Sequence, residues 1–288
     1  MAEREWLPRK QKIEHVSYFK NKTAIVTGSG MGIGKAIALE LCKQGAHVVL
    51  NGRNAERLEK THQEFLQLGY SVIAVQADVT HPAACEDLVQ KTLTAFGQID
   101  ILINNAGLSM NERFENLHPE VFDLVIKSNI QGSAYPTLKA LPSLKSTKGS
   151  VIFISSAAGM IGLPTASAYS AGKMALTAIA QSLKVELAET GVHIGIVHVG
   201  FTQNDDNKRV LNAKGELIPV AARPAYIQQT QQQVAQAVLR TIRKRKFKVI
   251  LSVIGKVNAF MARFFPGIVL RILSASQKRL RKMYKTED

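Results

Sequence analysis

An alternation that begins at Thr23 and runs to about Ser252 constrains the fold more than any other feature of this sequence. Short, almost wholly apolar runs alternate there with helical stretches of ten or more residues. Such runs are typical of strands covered on both faces, and strands separated by helices form βαβ units. The predicted strands are residues 23–27, 47–51, 71–76, 99–103, 151–155, 192–198 and 247–252. We therefore expect an α/β fold, a doubly wound parallel sheet of about seven strands with helices on both faces.

Composition limits the class of protein. The chain has 288 residues, 46% of them hydrophobic, which is enough for one substantial core. Its two cysteines, Cys42 and Cys85, lie in helical patterns, so we expect buried, reduced thiols rather than a disulfide framework. The first 22 residues contain no apolar secretory region, and no uninterrupted apolar run is long enough for a conventional spanning helix. These features predict a cytoplasmic protein, with contact to a membrane surface left open.

The net charge of +15 is concentrated near the C-terminus. Fourteen of the 37 Lys and Arg residues lie from Val238 onward, but only two of the 22 Asp and Glu residues do. Residues 254–288 also carry two apolar stripes separated by Pro266 and Gly267, and we expect them to form a basic amphipathic helical tail. The tail either contacts a membrane surface or packs on the body or a second subunit. A nucleic-acid partner is not expected, because the tail shows no base-reading pattern beyond its charge.

A glycine-rich turn joins the first predicted strand to the first predicted helix, which extends from about Gly32 to Lys43. Glycines at this point allow the backbone to approach a pyrophosphate, and the helix N-terminus offers free N–H groups. The position of the turn in the first βαβ unit favours a Rossmann-type dinucleotide site over a merely flexible loop. The candidate cofactor ligands in the turn are Thr27, Gly28, Ser29, Met31, Gly32, Ile33 and Gly34.

The end of the second predicted strand bears on the choice of cofactor. An acidic residue there is typical of sites that bind the ribose 2′-hydroxyl of NAD, but this sequence has Gly52 followed by Arg53. A guanidinium can form a charge-assisted fork with a 2′-phosphate. We therefore predict NADP(H) as the preferred cofactor, with NAD(H) as the alternative.

Tyr169, Lys173 and Ser156 are the candidate catalytic residues. Tyr169 and Lys173 are spaced i, i+4 in a predicted helix, so they share one face, and a nearby ammonium favours the phenolate form of a tyrosine. Ser156 follows the predicted strand 151–155, where its hydroxyl could stabilise negative charge on a substrate oxygen. Each feature alone also fits an ordinary helix or turn.

Six motifs in order make the chain resemble the short-chain dehydrogenase/reductase superfamily from about Lys20 to Phe247. Within that superfamily, the stretch 139–145 followed by Gly149 looks most similar to the hydroxysteroid dehydrogenase and lipid-ketone reductase branch. The matching motifs are Thr27-Gly28 through Gly32-Ile33-Gly34, Asp78-Val79, Asn104-Asn105-Ala106-Gly107, Ser128-Asn129, Ser155-Ser156 and Tyr169 with Lys173.

The resemblance implies a role for each matched position. Tyr169 would donate and accept the proton, Lys173 would lower the pKa of Tyr169 and bind the nicotinamide ribose, and Ser156 would orient the substrate. Asn129 would hold a proton-relay water. The remaining cofactor ligands implied are Asp78 and Val79 at the adenine, Asn105, Ala106 and Gly107 beside the ribose, and Gly200 and Thr202 near the carboxamide. No metal site is expected.

The sequence departs from the family pattern at two points. Val199 precedes Gly200 where many members have proline, so the segment that would contact the carboxamide lacks a rigid turn element. Met31 replaces a basic residue that is frequent in NADP-binding members, so Arg53 would carry more of the phosphate recognition.

Together these features predict an oxidoreductase that interconverts a ketone and a secondary alcohol with NADP(H), on a lipophilic substrate such as a steroid or lipid ketone. Residues 1–253 would form the catalytic domain, including a substrate loop at about 203–228, and family resemblance implies a homodimer or homotetramer. The alternatives are an NAD-linked alcohol dehydrogenase and a catalytically silent nucleotide-binding membrane adaptor on the same fold.

Overall fold

The computed structural model describes residues 17–203, 205, 208–220 and 228–276. Its main feature is a seven-stranded sheet with the order β3-β2-β1-β4-β5-β6-β9, in which every neighbouring pair is parallel. The order reverses between β1 and β4, which opens a crevice at the carboxyl ends of the strands. The strands are β1 Thr23–Val26, β2 His47–Gly52, β3 Val72–Gln76, β4 Ile101–Asn104, β5 Ser150–Ser156, β6 His193–Val199 and β9 Lys248–Ile250.

Helices cover both faces of this sheet. One buried apolar cluster joins α1, α2 and α6 to one face, and a second joins α3, α4 and α5 to the other. The strands are apolar at successive positions because each side chain meets one of the two layers: Ala24 and Val26 lie in the first cluster, and Ile25 lies in the second. The helices are α1 Gly32–Lys43, α2 Ala55–Gln67, α3 Pro82–Phe96, α4 Pro119–Ser146, α5 Ser167–Glu186 and α6 Gln231–Arg243.

The predicted doubly wound α/β fold is therefore confirmed, although some strand ends shift. The fourth strand begins at Ile101 rather than at Ile99. Just before it, the Asp100 carboxylate accepts the backbone N–H of Thr23 at 2.9 Å. Ile99 is nevertheless fully buried. The last strand shortens to three residues, since only residues 248–250 pair with β6.

The segment predicted as a substrate loop contains a small antiparallel hairpin, β7 Arg209–Leu211 and β8 Leu217–Pro219, that sequence reasoning did not anticipate. Leu211 forms a bridge with Met110 and belongs to a third apolar cluster beside Tyr169. Residues 204, 206–207 and 221–227 of this segment lie outside the described residues. The hairpin brings apolar side chains to the catalytic edge of the sheet.

Two short helices follow β9, α7 Val253–Phe264 and α8 Pro266–Ala275, with a bend of 119° between them. The break falls at Pro266, as the sequence predicted, because proline is compatible with a first helical turn but cannot continue the preceding one. The basic residues from 278 onward and the N-terminal residues 1–16 lie outside the described residues, so the expectations about them stay predictions.

Candidate active site

Three glycines of the turn after β1 occupy positions that disfavour any other residue. Gly28 and Gly32 have φ values of 64° and 61°, a conformation that favours glycine. A Cβ on Gly34 would lie 2.3 Å from the carbonyl oxygen of Gly28, so only glycine fits there. No side chain caps α1, whose first turn begins directly after Met31. The turn therefore presents bare backbone at a helix N-terminus, which is the chemistry that holds a pyrophosphate.

Hydrogen bonds across the sheet crevice hold this turn in place. Thr27 Oγ1 accepts the backbone N–H groups of Asn105 and Ala106, both at 3.0 Å. The Asn105 side chain returns its amide protons to the carbonyl oxygens of Thr27 and Gly28, at 3.0 and 3.1 Å. The predicted cofactor residues Thr27, Asn105 and Ala106 thus lie together, and the two polar side chains shape the turn.

Ser29 and Ile33, also predicted as cofactor ligands, direct their side chains into the protein. Ser29 Oγ is fully buried and accepts the backbone N–H of Asn51 at 2.9 Å. Ile33 packs against the first apolar cluster. Any contact that these two residues make with a cofactor would therefore come from their backbone.

Arg53 and Asp78, predicted at the two ends of the adenosine site, lie beside each other. Arg53 Nη1 is 3.7 Å from Asp78 Oδ2, and the Arg53 side chain is 50% exposed. Burial acts to raise the pKa of Asp78, but hydrogen bonds from Thr80 and the charges of Arg53 and His81 outweigh it and lower that pKa. Val79, which follows, is buried. Arg53 is thus held loosely, with its guanidinium accessible from solvent.

Arg57 is a basic residue at this edge that sequence reasoning missed. It lies in the first turn of α2, where its backbone N–H donates to the Asn54 cap at 2.7 Å. Its Nη1 is 2.9 Å from Met31 Sδ, so the guanidinium lies directly over the glycine-rich turn. The i, i+4 spacing from Arg53 was a signal that could have identified it. A cation from α2 thus lies beside Met31, a position where the sequence itself has no basic residue.

Lys173 is buried beside Tyr169. Its Nζ donates to the carbonyl oxygen of Ile154 at 3.0 Å and lies 5.7 Å from the centre of the Tyr169 ring. Burial lowers the pKa of Lys173 to about 8. Ser155 Oγ donates to the Lys173 carbonyl oxygen at 3.2 Å, which ties α5 to the end of β5. The predicted Tyr169–Lys173 pair therefore shares one face of α5 at the carboxyl edge of the sheet.

Asn129 lies on α4, and its side chain reaches the neighbourhood of Lys173. Its Nδ2 donates to the carbonyl oxygens of Leu108 and Val125, at 2.8 and 2.9 Å, whereas its buried Oδ1 has no hydrogen-bond partner among the described residues. Gly107 lies against this oxygen: a Cβ there would be 2.6 Å from Oδ1 and 3.4 Å from Lys173 Nζ. Asn129 Oδ1 is thus a buried acceptor beside the Lys173 ammonium, without a partner in the described part of the chain. This arrangement is typical of a site in which a bound polar group supplies the missing hydrogen bond.

Ser156 ends β5 at the mouth of the crevice. Its Oγ accepts the N–H of Ala158 at 3.2 Å and its side chain is half-buried. The Ser156 carbonyl oxygen lies 3.2 Å from Nδ1 of His198 on β6. Burial lowers the pKa of His198 to about 4, so its imidazole is neutral at physiological pH and acts as a donor to the Ser156 carbonyl. His198 is therefore a packing residue that fixes the backbone under Ser156.

Gly200 and Thr202 form the turn after β6, where the sequence lacks the frequent proline. Thr202 is buried, its Oγ1 donates to the Gly200 carbonyl oxygen at 3.3 Å, and its backbone pairs with Gln229. A Cβ on Gly200 would lie 3.0 Å from Ser252 Oγ, the cap of α7. Contacts from two later segments hold the turn without a proline ring.

The segment after this turn reaches the glycine-rich turn. Asp205 Oδ2 would lie 3.5 Å from a Cβ on Gly32, and Asp205 Oδ1 accepts a hydrogen bond from Gln231 Nε2 at 2.7 Å. The carboxyl edge of the sheet is thus covered on one side by the chain that follows β6. Sequence reasoning placed Asp205 in the substrate loop but gave no signal for this contact.

Within the described residues no group of three or more His, Cys, Asp and Glu side chains could hold a metal ion. Cys42 and Cys85 are both buried and free, and burial raises the pKa of their thiols to about 12 and about 11. A thiol with so high a pKa is not a nucleophile at neutral pH.

Comparison with known proteins identifies the family. The sequence profile described as short chain dehydrogenase matches residues 22–215. The chain is 36% identical over 200 residues to 11-beta-hydroxysteroid dehydrogenase 1A of Arabidopsis thaliana, covering 68% of this chain but only 57% of that protein. It is 29% identical over 274 residues to dehydrogenase/reductase SDR family member 7B of Bos taurus, covering 92% of this chain and 84% of that one.

Two solved structures share the fold. A short chain dehydrogenase/reductase of Burkholderia phymatum in complex with NAD aligns with a TM-score of 0.70 at 20% identity, covering 94% of this chain and 98% of that one. An alcohol dehydrogenase of the archaeon Thermococcus sibiricus, complexed with 5-hydroxy-NADP, aligns with a TM-score of 0.69 at 26% identity. The alignment covers 80% of this chain and 95% of that one. Both kinds of nicotinamide dinucleotide thus occur among structures with this architecture.

Proposed function

The chain belongs to the short-chain dehydrogenase family, and on that premise we propose that it interconverts a lipophilic ketone and a secondary alcohol with NADP(H), with Tyr169 as the acid and base. As a member of this family it is an oxidoreductase that binds a nicotinamide dinucleotide and acts on CH–OH and C=O groups. The observation that carries the proposal is the buried cluster of Lys173, Asn129 and Gly107 beside Tyr169.

The residues present fit the cofactor. The glycine-rich turn presents backbone at the N-terminus of α1, and Gly107 packs closely against Asn129, whose buried Oδ1 has no hydrogen-bond partner among the described residues. The turn would hold the pyrophosphate, and Lys173 would hold the nicotinamide ribose. When bound, the reduced nicotinamide supplies hydride to the carbonyl carbon of the substrate.

Tyr169 would hold the proton that the carbonyl oxygen takes up, or would accept it in the direction of oxidation. The ordinary pKa of a tyrosine, near 10, is too high for this exchange at neutral pH. The Lys173 ammonium would lower it, because a positive charge stabilises the phenolate. With a pKa of about 8, Lys173 remains mostly protonated at pH 7 and can exert this effect. The Ser156 hydroxyl would stabilise charge on the substrate oxygen.

The NADP(H) preference rests on two arginines rather than one. Arg53 and Arg57 flank the crevice where the ribose 2′-position of a dinucleotide would lie, and no acidic side chain occupies the end of β2. A 2′-phosphate would gain charge-assisted hydrogen bonds from both guanidinium groups. The nearby Asp78 carboxylate does not neutralise Arg53 fully, since the two groups are 3.7 Å apart and partly exposed.

A lipophilic substrate is supported by the surroundings of Tyr169. The third apolar cluster lies directly beside it and contains Met110, Val121, Leu211 and their neighbours. The name of the Arabidopsis relative points to a steroid, which is a substrate of this chemical class. Apolar walls with a few polar groups at the reacting end are typical of small-molecule sites.

The first test is calorimetric titration of the purified protein with NADPH and with NADH, together with NADPH consumption in the presence of steroid and lipid ketones. We expect tighter binding of NADPH and turnover of at least one ketone. Arg53→Gln and Arg57→Gln should each weaken NADPH binding about 10- to 100-fold, since a hydrogen bond to a charged group contributes about 1.5–3 kcal/mol.

The matched control is Lys60→Gln, which removes one positive charge from an exposed position of the same helix as Arg57. NADPH affinity should change little in that variant. NADH binding that equals or exceeds NADPH binding would overturn the cofactor preference. If the protein binds neither dinucleotide, the catalytic proposal fails and the silent-adaptor alternative replaces it.

A further inference from the structure

Helices α7 and α8 expose more large apolar side chains than any other region of comparable length in the described chain. Seven residues there are between 46% and 58% exposed, and no residue of α8 is buried. A soluble monomer rarely leaves a contiguous apolar surface of this kind uncovered. The exposed side chains are those of Val257, Phe260, Phe264, Phe265, Ile268, Leu270 and Ile272.

On α7 the apolar residues form an aromatic group. The ring centre of Phe260 lies 4.8 Å from that of Phe264 and 6.4 Å from that of Phe265. The rings are packed against each other, and each is about half exposed. Lys256 and Arg263 lie beside this aromatic group at the edge of the same helix.

On α8 the apolar surface extends around more than half of the helix. At about 100° per residue, Ile268 and Leu270 are separated by roughly 200° around the axis, and both are exposed. Val269 and Leu273 lie between them and are only partly exposed, while Arg271 lies on the remaining side. A protein partner commonly covers a stripe about 100° wide. A helix immersed in lipid can bury a wider arc, so the shape of this surface favours a bilayer over a second copy of the chain.

The charge of the surrounding sequence points to the same occupant. No Asp or Glu occurs between Glu216 and Glu287, whereas that interval contains fifteen Lys and Arg residues. A basic segment next to an apolar surface is attracted to the negative headgroups of anionic lipids.

The geometry excludes a simple span. No single helix within the described part of the chain is long and apolar enough to cross a membrane, but Gly255–Phe264 and Pro266–Ala275 pass that test of length and composition as a pair bent by 119°. A ten-residue helix is about 15 Å long, half of a hydrocarbon core of about 30 Å. Each helix of the pair therefore matches the depth of about one leaflet.

We propose that α7 and α8 form a monotopic anchor that inserts its apolar surface into one leaflet of an anionic bilayer. The inference stands on the exposed apolar arc and the charge, and does not depend on the identity of the substrate. The anchor starts at the carboxyl edge of the sheet: Ser252 caps α7, and the Leu251 N–H donates to the His198 carbonyl oxygen at 3.1 Å.

The test is co-flotation of the full-length protein with vesicles of phosphatidylcholine, with and without phosphatidylglycerol. We expect binding to the anionic vesicles, weakened by high salt. The double variant Leu270→Asn with Ile272→Asn should lose at least about tenfold in partitioning, because it removes two large apolar side chains from the inserted arc.

The matched control is Leu66→Asn with Leu68→Asn, which alters two leucines of similar exposure, 42% and 56%, at the end of α2. This variant should float as the unaltered protein does. The proposal is overturned if the unaltered protein stays with the unbound fraction on both kinds of vesicle, or if both double variants lose binding equally. It is also overturned if the α8 variant binds vesicles normally but changes a dimer to a monomer in analytical ultracentrifugation, since a second copy would then cover the surface.

Discussion

The cluster around Lys173 and the helix pair α7–α8 distribute their side chains in opposite ways. In the cluster, an ammonium and an unsatisfied amide oxygen are buried among apolar layers. In the helix pair, phenylalanine, leucine and isoleucine side chains face solvent. Both arrangements cost free energy in the isolated chain, the first through desolvation of polar groups and the second through exposed apolar surface.

The contrast shows where a partner is required. Under the two proposals, a dinucleotide would supply partners for the buried polar groups of the cluster, and lipid would cover the exposed apolar side chains of α7 and α8. Single departures from ordinary burial also occur elsewhere in the described chain, such as Val185, which is 77% exposed, and the unpartnered buried Oδ1 of Asn104. The two regions differ from these because such groups lie together in each of them.

The largest effect is expected at the catalytic hydroxyl. Tyr169→Phe removes the acid and base but keeps the ring, so kcat should fall about 10²- to 10⁴-fold. NADPH affinity should change little, as measured by calorimetry. Tyr70→Phe, which alters a half-buried tyrosine beside Phe65 outside the catalytic cluster, is the control and should retain full turnover. Retained activity in Tyr169→Phe would rule out the proposed mechanism.

Burial of the Lys173 charge should make stability depend on pH. Its pKa is about 8 in the folded protein and near 10.5 in the unfolded chain, so between these values only the unfolded chain binds the proton. The free energy of unfolding therefore rises with pH across this window. Lys173→Met should be more stable than the unaltered protein at pH 7, by up to about 3 kcal/mol, since each pKa unit corresponds to about 1.4 kcal/mol.

Urea unfolding of the cofactor-free protein at several pH values measures this difference. The difference in the free energy of unfolding between Lys173→Met and the unaltered protein should shrink towards pH 10.5, where the unaltered protein no longer buries a charge. A difference that stays constant from pH 7 to pH 10.5 would show that Lys173 is not desolvated. Lys60→Met, at an exposed position, should show no such pH dependence.

Gly107 packs closely against Asn129 and leaves no room for a methyl group. A Cβ there would meet Asn129 Oδ1 at 2.6 Å, so Gly107→Ala should displace Asn129 and lower the free energy of unfolding by about 1–3 kcal/mol. NADPH binding should also weaken in the Gly107→Ala variant. Gly162→Ala provides a control, because its Cβ would meet nothing within 4 Å. Thermal unfolding and calorimetry of the two variants show whether the close packing of Gly107 against Asn129 supports cofactor binding.

The smallest effect is expected on α8. Leu270→Ala should change the free energy of unfolding in detergent-free buffer by less than about 0.5 kcal/mol, because the side chain is 57% exposed. Leu176→Ala, at a fully buried position of α5, should cost about 2–5 kcal/mol. Equal losses in the two variants, measured by urea unfolding, would show that α8 packs against the body.

Sequence reasoning recovered the sheet because its evidence was local. Each strand is a short apolar run, and the helix break at Pro266 depends on the proline ring itself. It missed the β7–β8 hairpin, whose strands have three residues each and are too short to show a period. The positions matched by family motifs do lie at one edge of the sheet, although Ser29 and Ile33 point their side chains inward.

The sequence by itself determined the alternation of strands and helices, the glycine-rich turn and the placement of Tyr169 and Lys173 on one helix, since these depend on spacing along the chain. Only the tertiary structure brought Arg57 over Met31, left Asn129 Oδ1 beside Gly107 without a hydrogen-bond partner among the described residues, and placed Ser252 close to Gly200. These contacts join residues from 22 to 52 positions apart, and packing of whole elements, rather than local conformational preference, sets their distances.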